Sequence, residues 1–129
     1  MADGRARRIA AEAHGRRAEK LAALWLRLKG YRILAQRVRL PVGEIDLIAR
    51  RGKLVAFVEV KARTTRLAGE TAVPDAAWTR ISRAAESWMA SKPALSGLDW
   101  RFDLVIILPR RLPIHLRDTW RPFFASTRF

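Results

Sequence analysis

Apolar residues in the first quarter of the chain recur at the spacing of an α-helix. This spacing, together with many Ala, Leu, Arg, Glu and Lys residues, predicts a helix over residues 9–29 that Gly30 ends. One apolar stripe of the helix consists of Leu21, Leu24, Trp25 and Leu28. A second stripe consists of Ala18, Ala22 and Leu26. The helix is therefore expected to contact the fold on two sides.

Apolar runs with the period or length of β-strands follow this helix. They predict strands over residues 31–40, 42–50, 54–63, 100–108 and 114–116. A second helix is expected over residues 74–89, because its apolar side chains share one face. Residues 64–73 and 91–97 are expected to be loops. The order α-β-β-β-α-β-β predicts an α/β fold, a mixed sheet flanked by helices.

The size and composition indicate one folded domain. The chain has 129 residues and is half apolar. Residues 1–8 are small and basic and are expected to be disordered, which leaves residues 9–129 as the domain. The absence of cysteine excludes disulfides, thiolate metal ligands and a cysteine nucleophile, and a cytoplasmic location is expected. The longest apolar run, residues 104–109, is far shorter than the roughly 20 residues that cross a bilayer, so no membrane partner is expected.

The net charge favours a polyanionic partner. Lys and Arg total 26 against 12 Asp and Glu, which gives a formal charge of +14. Such a surface attracts nucleic acid or an anionic membrane face. Because arginine is far more frequent than lysine, an arginine-rich proteome would also explain part of this charge. The charge therefore favours nucleic acid without establishing it.

Three ionisable residues lie within otherwise apolar predicted strands. Asp46 is in the second strand, and Glu59 and Lys61 are in the third, on one face because side chains alternate. If residues 51–52 form a two-residue hairpin loop, Asp46 lies on that same side, diagonal to Glu59. A register shifted by two would place the two carboxyl groups directly opposite each other. A three-residue loop would put them on opposite faces.

Two carboxylates beside an amine suit metal-dependent phosphodiester chemistry. Converging carboxylates repel, which raises the pKa of one of them unless a cation lies between them. Their oxygens suit Mg²⁺ or Mn²⁺, which can polarise a phosphodiester, and Lys61 could orient water or balance transition-state charge. Asp46, Glu59 and Lys61 are also compatible with a charged strip on a solvated sheet face. Glu44 is compatible with either a ligand or a solvated neighbour.

The other polar candidates indicate less chemistry. His14 and His115 lack acidic or hydroxyl partners at a useful spacing and are interpreted as surface or capping residues. Arg101 and Asp103 share one strand face and are interpreted as an ion pair. The sequence has no glycine-rich phosphate loop and no Gly-x-Ser-x-Gly motif.

Two motifs resemble those of a known family. Residues 43–49, Gly-Glu-Ile-Asp-Leu-Ile-Ala, and residues 57–63, Phe-Val-Glu-Val-Lys-Ala-Arg, are similar to the YraN family of small bacterial proteins. The likeness covers nearly the whole domain and includes Gly15, Glu19, residues 30–34, Gly69, Val73 and residues 101–103. YraN proteins are regarded as endonucleases related to archaeal Holliday-junction resolvases, within the PD-(D/E)xK nuclease superfamily.

The resemblance implies a restriction-endonuclease-like fold and a set of site residues. Asp46 and Glu59 would be metal ligands, and Lys61 would be the catalytic lysine. The backbone carbonyl of Val60 and the carboxylate of Glu19 would be further ligands. The helical pattern by itself is equally compatible with a solvated Glu19.

Two positions depart from the family pattern. Many relatives have a lysine early in the second helix, where this chain has Ala77 beside Trp78. An Asn that often follows the first strand is replaced by Gln36 and Arg37. These departures leave the implied metal site intact and affect the expected DNA contacts.

The sequence favours a DNA endonuclease that requires Mg²⁺ or Mn²⁺ and no small-molecule cofactor, with branched or structured DNA as candidate substrates. DNA contacts are expected from Arg63, Thr64, Thr65, Arg66, Arg16 and Arg17. Residues 63–66 are also compatible with a solvated loop. The first alternative is a nucleic-acid-binding module whose acidic site is vestigial, and the second is a basic protein that docks on another protein or a membrane. A homodimer is expected only by analogy with resolvases, which pair to cut two strands.

Overall fold

The fold is built on a five-stranded mixed sheet. The computed structural model describes residues 2–122, with side chains from residue 4 onward. In spatial order, which is also chain order, the strands are β1 (Arg32–Leu40), β2 (Gly43–Arg51), β3 (Leu54–Ala62), β4 (Asp99–Ile107) and β5 (Ile114–Trp120). Neighbouring strands are antiparallel except for β3 and β4, which are parallel.

Helices precede the sheet and connect its parallel pair. The helices are α1 (Ala2–Leu28), α2 (Arg66–Glu70) and α3 (Asp75–Ala90), and a 3₁₀ turn spans Pro93–Leu95. Parallel neighbours need a crossover connection, and α2 and α3 lie within it. The predicted order of elements is confirmed, apart from α2, which falls in a predicted loop. The side chain of Thr65 caps α2 by accepting a hydrogen bond from the Ala68 N–H at 3.1 Å.

Both faces of the sheet are covered. The core on the α3 face includes Phe57, Trp78 and Phe102. The core on the α1 face includes Leu26 and Val58. Because β2, β3 and β4 are buried on both sides, their sequences are almost continuously apolar along much of their length.

The first helix packs through its small-residue stripe alone. That stripe is buried and consists of Ala18, Ala22 and Leu26. The larger stripe is exposed by 49%, 51% and 71% at Leu21, Leu24 and Leu28. The expectation that both stripes contact the fold is therefore wrong, because the alanines allow the helix backbone to approach the sheet closely. The helix also begins at Ala2, so the segment expected to be disordered is helical from Ala2 onward.

The remaining elements lie close to their predicted bounds, with one longer strand. β5 continues to Trp120 because this residue packs against the core and stacks on Trp78, with ring centroids 6.1 Å apart. Across residues 2–122, the helices lack any segment with the length and apolar character that a membrane span requires.

Candidate active site

Asp46 and Glu59 lie side by side where the β2–β3 ladder ends. The ladder pairs Arg51 with Leu54 at one end and Leu47 with Val58 at the other, and residues 52–53 form the turn. This is the register shifted by two from the one with residues 51–52 as the loop. Continued by one pair, it places Asp46 opposite Glu59, and their side chains share a hydrogen bond.

The backbone of β3 holds the Asp46 carboxylate in place. The Val60 N–H donates a hydrogen bond to Asp46 Oδ2 at 2.8 Å. Residues two apart in a regular strand share a face, yet Ile45 and Leu47 belong to opposite cores. Because of this irregularity in β2, a side-chain oxygen of Asp46 accepts a hydrogen bond from the Val60 N–H. This bond lies beyond the last backbone pair of the ladder.

The surroundings of Glu59 favour its protonated form. Burial, the hydrogen bond with Asp46 and the Asp46 charge raise the pKa of Glu59 to about 9, against the opposing charge of Lys61. A carboxyl group with this pKa is protonated at neutral pH. A cation between the two carboxylates would lower the pKa of Glu59. The pair is therefore suited to take up a positive charge.

Lys61 lies on the same strand as Glu59, two residues further along. Both side chains are half-buried, and strand alternation puts them on the face of Phe57. Lys61 is close enough to Glu59 for its positive charge to lower the pKa of that carboxyl group. The structure thus brings together the two carboxyl groups and the amine that the sequence singled out.

Glu19 extends this acidic group from α1. Its side chain is only 15% exposed, and its Oε2 lies 3.6 Å from Arg37 Nε. Burial and the charge of Asp46 raise the pKa of Glu19, while Arg37, Arg39 and Arg16 lower it. Of the two interpretations left open by the sequence, the structure thus favours a Glu19 that belongs to the site over a solvated one.

The partner of Glu19 has an unusual backbone conformation. Arg37 has φ of 52°, in the left-handed region that non-glycine residues seldom occupy. The guanidinium group of Arg37 pairs with Glu19 here.

A small cavity lies beside Asp46. It has a volume of about 40 Å³, and its lining includes the charged residues Glu19, Arg37, Arg39 and Glu44. A polar cavity of this size accommodates a water molecule or an ion. Glu44 is exposed, and its Oε1 lies 4.0 Å from Arg39 Nε. It therefore lines the cavity as a solvated residue in an ion pair.

The oxygen donors fit a hard divalent cation that keeps several of its waters. Asp46 and Glu59 provide two carboxyl groups that already share a hydrogen bond. Within residues 2–122, no group of three or more His, Cys, Asp or Glu side chains forms a larger metal cage. Mg²⁺ is commonly bound by one or two carboxylates together with water and phosphate oxygens. The Val60 carbonyl and Glu19 stay predicted additional ligands.

The predicted DNA-contacting loop follows Lys61 directly. Residues 63–66 are exposed, and the Arg63 N–H donates a hydrogen bond to the Ile107 carbonyl at 3.1 Å. Arg66 Nε lies 2.5 Å from Glu70 Oε1, one helical turn further on. The loop is therefore anchored to the end of β4 and leaves its polar side chains accessible.

The predicted arginines of α1 lie beside the acidic group. Arg16 and Arg17 are exposed and precede Glu19 by less than one helical turn. No residue from 4 to 17 is buried, so this part of α1 projects beyond the sheet. Arg16 is close enough for its charge to lower the pKa of Glu19.

A second polar group, buried between α1 and the sheet, centres on Asp103. The Asp103 carboxylate is completely buried and accepts hydrogen bonds from Arg101 Nε and Nη2 at 2.8 and 2.7 Å. The Asp118 N–H donates to it at 2.9 Å, and His115 Nε2 lies 2.8 Å from its Oδ2. The predicted ion pair of Arg101 and Asp103 is confirmed.

The interpretation of His115 as a surface or capping residue is wrong. Its side chain is 1% exposed, and its other ring nitrogen lies 2.5 Å from Lys29 Nζ. Arg101 Nη2 also donates to the Tyr31 hydroxyl at 2.6 Å. These partners are far apart in sequence and meet only through the pairing of β4 with β5 and the packing of α1, so no local spacing indicates them.

Comparison with known proteins shows which family the chain belongs to. A family model described as uncharacterised protein family UPF0102 matches residues 18–107, most of the chain. The chain belongs to the UPF0102 family. This family includes YraN and is part of the PD-(D/E)xK-like nuclease superfamily, so the family resemblance is confirmed. The matched segment contains Glu19, Asp46, Glu59 and Lys61.

Individual UPF0102 proteins are similar over almost their full length. The UPF0102 protein of Chelativorans sp. (strain BNC1) is 52% identical over 119 residues, covering 92% of this chain and 96% of the relative. That of Erythrobacter litoralis is 49% identical over 116 residues, covering 90% and 99%. That of Methylorubrum extorquens is 52% identical over 119 residues, covering 92% and 93%.

Proposed function

We propose that this protein is a metal-dependent endonuclease that hydrolyses phosphodiester bonds in DNA. The observation that carries the proposal is the position of Asp46 opposite Glu59 at the end of the β2–β3 ladder, with the Asp46 carboxylate held by the Val60 N–H and the amine of Lys61 close by. A pair of acidic groups with a shared hydrogen bond, half-buried beside a lysine, is typical of a catalytic site. The surrounding chain carries a net charge of +14, which favours a polyanionic substrate.

Asp46, Glu59 and Lys61 each have a distinct role in the proposed reaction. The Val60 N–H fixes the Asp46 carboxylate in one position at the site. Glu59 releases its proton when positive charge enters the site, since its pKa is raised chiefly by burial and by Asp46. Lys61 orients the attacking water and stabilises the negative charge that develops on the phosphate.

The residues that would hold Mg²⁺ or Mn²⁺ are Asp46 and Glu59, with the Val60 carbonyl and Glu19 as further ligands. A cation bound there would supply a Lewis acid for the phosphodiester and lower the pKa of a bound water. Arg16, Arg17 and residues 63–66 would bind the DNA backbone on either side. Because most of these side chains are exposed, they can reach phosphates without rearrangement of the sheet.

The decisive experiment is a cleavage assay on duplex, branched and single-stranded DNA. The wild-type protein is expected to cut at least one of these DNAs with Mg²⁺ or Mn²⁺ and none in EDTA. Asp46→Asn keeps the shape of the side chain and should lower the rate by a factor on the order of 100 or more. Asp99→Asn, a change at an exposed carboxylate at the start of β4, serves as the control and should retain activity. Equal rates for wild type and Asp46→Asn would reject the endonuclease proposal.

The charge of +14 also favours a second candidate, a nucleic-acid-binding module without catalysis, since residues 2–122 contain no group of three or more His, Cys, Asp or Glu side chains that could hold a metal ion. The two candidates differ in metal binding. Calorimetric titration with Mn²⁺ should give a saturable signal for wild type that Glu59→Ala abolishes if the site is catalytic. A module without catalysis would bind DNA equally after Glu59→Ala, and equally or more tightly after Asp46→Ala, which removes a negative charge.

A further inference from the structure

A second and much larger cavity opens directly beyond Lys61. It has a volume of about 720 Å³ and is lined by residues 64–66, residues 108–111 and Ile114. These residues lie between the end of β3 and the start of α2 and between the end of β4 and the start of β5, and β3 and β4 run parallel and end together. We call this cavity the loop groove. Its volume lies within the roughly 300–1,000 Å³ of pockets that hold small organic groups.

The loop groove has a basic rim and an apolar floor. The rim carries Arg66, Arg110 and Arg111, and no acidic residue lines it. Arg66 is paired with Glu70, whereas Arg110 and Arg111 form no ion pair within residues 2–122. The apolar part of the lining comes from Leu108, Pro109 and Ile114. The groove therefore suits a ligand with an anionic end and a flat or apolar body.

Arg110 occupies a conformation that a glycine would adopt at lower cost. Its φ is 57°, in the left-handed region, and it lies in the turn between β4 and β5. An L-residue is less stable in this region than in the right-handed one, whereas glycine adopts both. Strained residues of this kind concentrate at binding sites, where the position of the side chain matters more than local stability. The turn thus carries a guanidinium group at the groove at some cost in stability.

We propose that the loop groove binds one unpaired nucleotide of the DNA, next to the phosphodiester held at Asp46, Glu59 and Lys61. The inference rests on the proposed function and specifies its substrate class: DNA with an unpaired nucleotide beside the cleaved bond. The phosphate of that nucleotide would contact Arg110 and Arg111. Its sugar and base would lie over the apolar floor, where a guanidinium plane can also stack on the base.

An intact duplex does not fill such a groove. Its bases are stacked inside the helix, and it presents phosphates and sugars as a convex ridge to the protein. That ridge would contact the arginine rim and leave the floor next to Ile114 empty. An unpaired nucleotide can rotate out of the stack, so its base and sugar can enter a concave site. The groove therefore favours unpaired over paired DNA.

The test measures binding in EDTA, where no cleavage occurs. Fluorescence anisotropy compares a blunt duplex, a duplex with a single-stranded overhang and a single strand, all of equal total charge. The groove variant is Arg110→Gly/Arg111→Ala, because glycine relieves the backbone strain at residue 110 while it removes the side chain. The control variant is Arg27→Ala/Arg83→Ala, which removes the same charge from exposed positions on α1 and α3.

The groove variant should bind the overhang and the single strand with an affinity lower by a factor on the order of ten. This is the loss expected when one stacked, phosphate-bound nucleotide no longer binds. For the blunt duplex the groove variant should lose clearly less affinity, because the duplex contacts the arginine rim only through its phosphates and leaves the apolar floor empty. Equal losses on all three DNAs, or a groove variant that behaves like the control, would overturn the proposal. The single variant Arg111→Ala, at an exposed position, should show the same selectivity in smaller measure.

The outcomes of the two proposals are distinguishable. If Asp46→Asn does not reduce cleavage but the groove variant selectively loses unpaired DNA, the endonuclease proposal fails and the groove stands as a binding site. If cleavage depends on Asp46 but both variants bind all DNAs alike, the groove inference fails alone. Thermal unfolding of the groove variant should occur within a few degrees of wild type, which would show that the binding loss is not a folding defect.

Discussion

Asp103 and Glu59 are carboxylic residues on adjacent strands of one sheet. Their neighbours favour the ionised form of Asp103 and the protonated form of Glu59. Burial alone would raise the pKa of both. At Asp103, hydrogen bonds from His115, Arg101 and the Asp118 N–H outweigh burial and hold its pKa below the ordinary value. At Glu59, the neighbour is another acid, and its pKa rises to about 9. The first environment stabilises the fold, whereas the second suits chemistry.

Asp103→Asn should destabilise the protein strongly. The substitution leaves the side chains of Arg101 and His115 without their carboxylate, and breaking such a buried pair typically costs about 3–5 kcal/mol. Urea unfolding should show this loss at neutral pH. The control is Asp99→Asn, because Asp99 is exposed on the same strand and should change the free energy of unfolding by less than about 0.5 kcal/mol. Equal stabilities of the two variants would contradict the role of Asp103.

The same carboxylate should contribute to acid unfolding. Because the pKa of Asp103 is lower in the folded than in the unfolded state, its contribution to stability is complete above the unfolded value of about 3.9 and is lost as pH falls below it. Wild-type stability should therefore fall with decreasing pH in this range more steeply than that of Asp103→Asn. Parallel pH profiles of unfolding for the two proteins would show that Asp103 is not the group responsible.

Lys61 should affect the chemical step without affecting DNA binding. In the proposed endonuclease, Lys61→Gln should lower the cleavage rate by a factor on the order of 100, because charge on the phosphate loses its stabilising partner. Binding in EDTA should change by less than about threefold, since one of many positive charges is removed. Lys53→Gln, at an exposed position in the β2–β3 turn, removes the same charge and should leave the cleavage rate unchanged. Similar cleavage rates for the two variants would rule out this role.

At the scale of the element, α1 shows that the most hydrophobic stripe of a helix is not always the buried one. Leucines dominate the exposed side of the helix and alanines the buried side. Small side chains on the buried face bring Glu19, on the same helix, close to Asp46 in the sheet. Close packing of α1 is therefore part of how the site is assembled.

Two leucines on opposite sides of α1 should differ sharply in their contribution to stability. Leu26 is completely buried, and Leu26→Ala should lower the free energy of unfolding by about 2–5 kcal/mol. Leu24 is 51% exposed, and Leu24→Ala should cost less than about 1 kcal/mol. Chemical denaturation of both variants tests this. A larger loss from Leu24→Ala would mean that the leucine stripe is the buried one after all.

The start of β2 depends on a close approach to α3. A Cβ atom at Gly43 would lie 2.5 Å from the carbonyl oxygen of Arg80, so one of the two backbones would have to move. Gly43→Ala should therefore cost about 1–3 kcal/mol. Gly97→Ala is the matched control, because nothing lies within 4 Å of a Cβ atom at that position. An equally small effect of both substitutions on the unfolding free energy would show that α3 can shift freely.

At the scale of the whole molecule, the positive charge is spread over several elements around an acidic centre. Exposed arginines lie on α1 and in the loops after β3 and β4, and the carboxyl groups of Asp46 and Glu59 lie among them. A polyanion attracted by the net charge of +14 would be repelled by the charge of Asp46, and by Glu59 once that residue releases its proton. A bound cation would remove that repulsion, which is why charge and site suggest a metal-dependent reaction on DNA.

DNA binding should depend strongly on salt. Because each neutralised phosphate releases counterions, affinity for duplex DNA should fall by at least about tenfold between roughly 50 and 200 mM salt. Removing one phosphate contact with Arg16→Ala should reduce the slope of log affinity against log salt by about 1. Affinity that does not change with salt concentration would contradict a phosphate-binding surface.

The sequence predicted most of the fold and the centre of the site. The order of helices and strands and the Arg101–Asp103 pair follow from local apolar periodicity, which is set by residues close in sequence. Asp46, Glu59 and Lys61 were singled out because charges in apolar strands are unusual. The sequence analysis misassigned His115, because its partners lie on other elements. It did not reveal the loop groove, because the groove forms between two segments that are remote in sequence.

By itself, the sequence determined the elements, the family and the residue types available for chemistry, because periodicity and motifs depend on neighbouring positions. Only the tertiary structure decided which stripe of α1 is buried, which of the possible hairpin registers aligns Asp46 with Glu59, and where the arginines after β4 lie. The physical reason is that strand pairing and helix packing involve residues remote in sequence. Alternative strand pairings differ in energy because they form different contacts between residues remote in sequence. No local sequence pattern reveals those contacts.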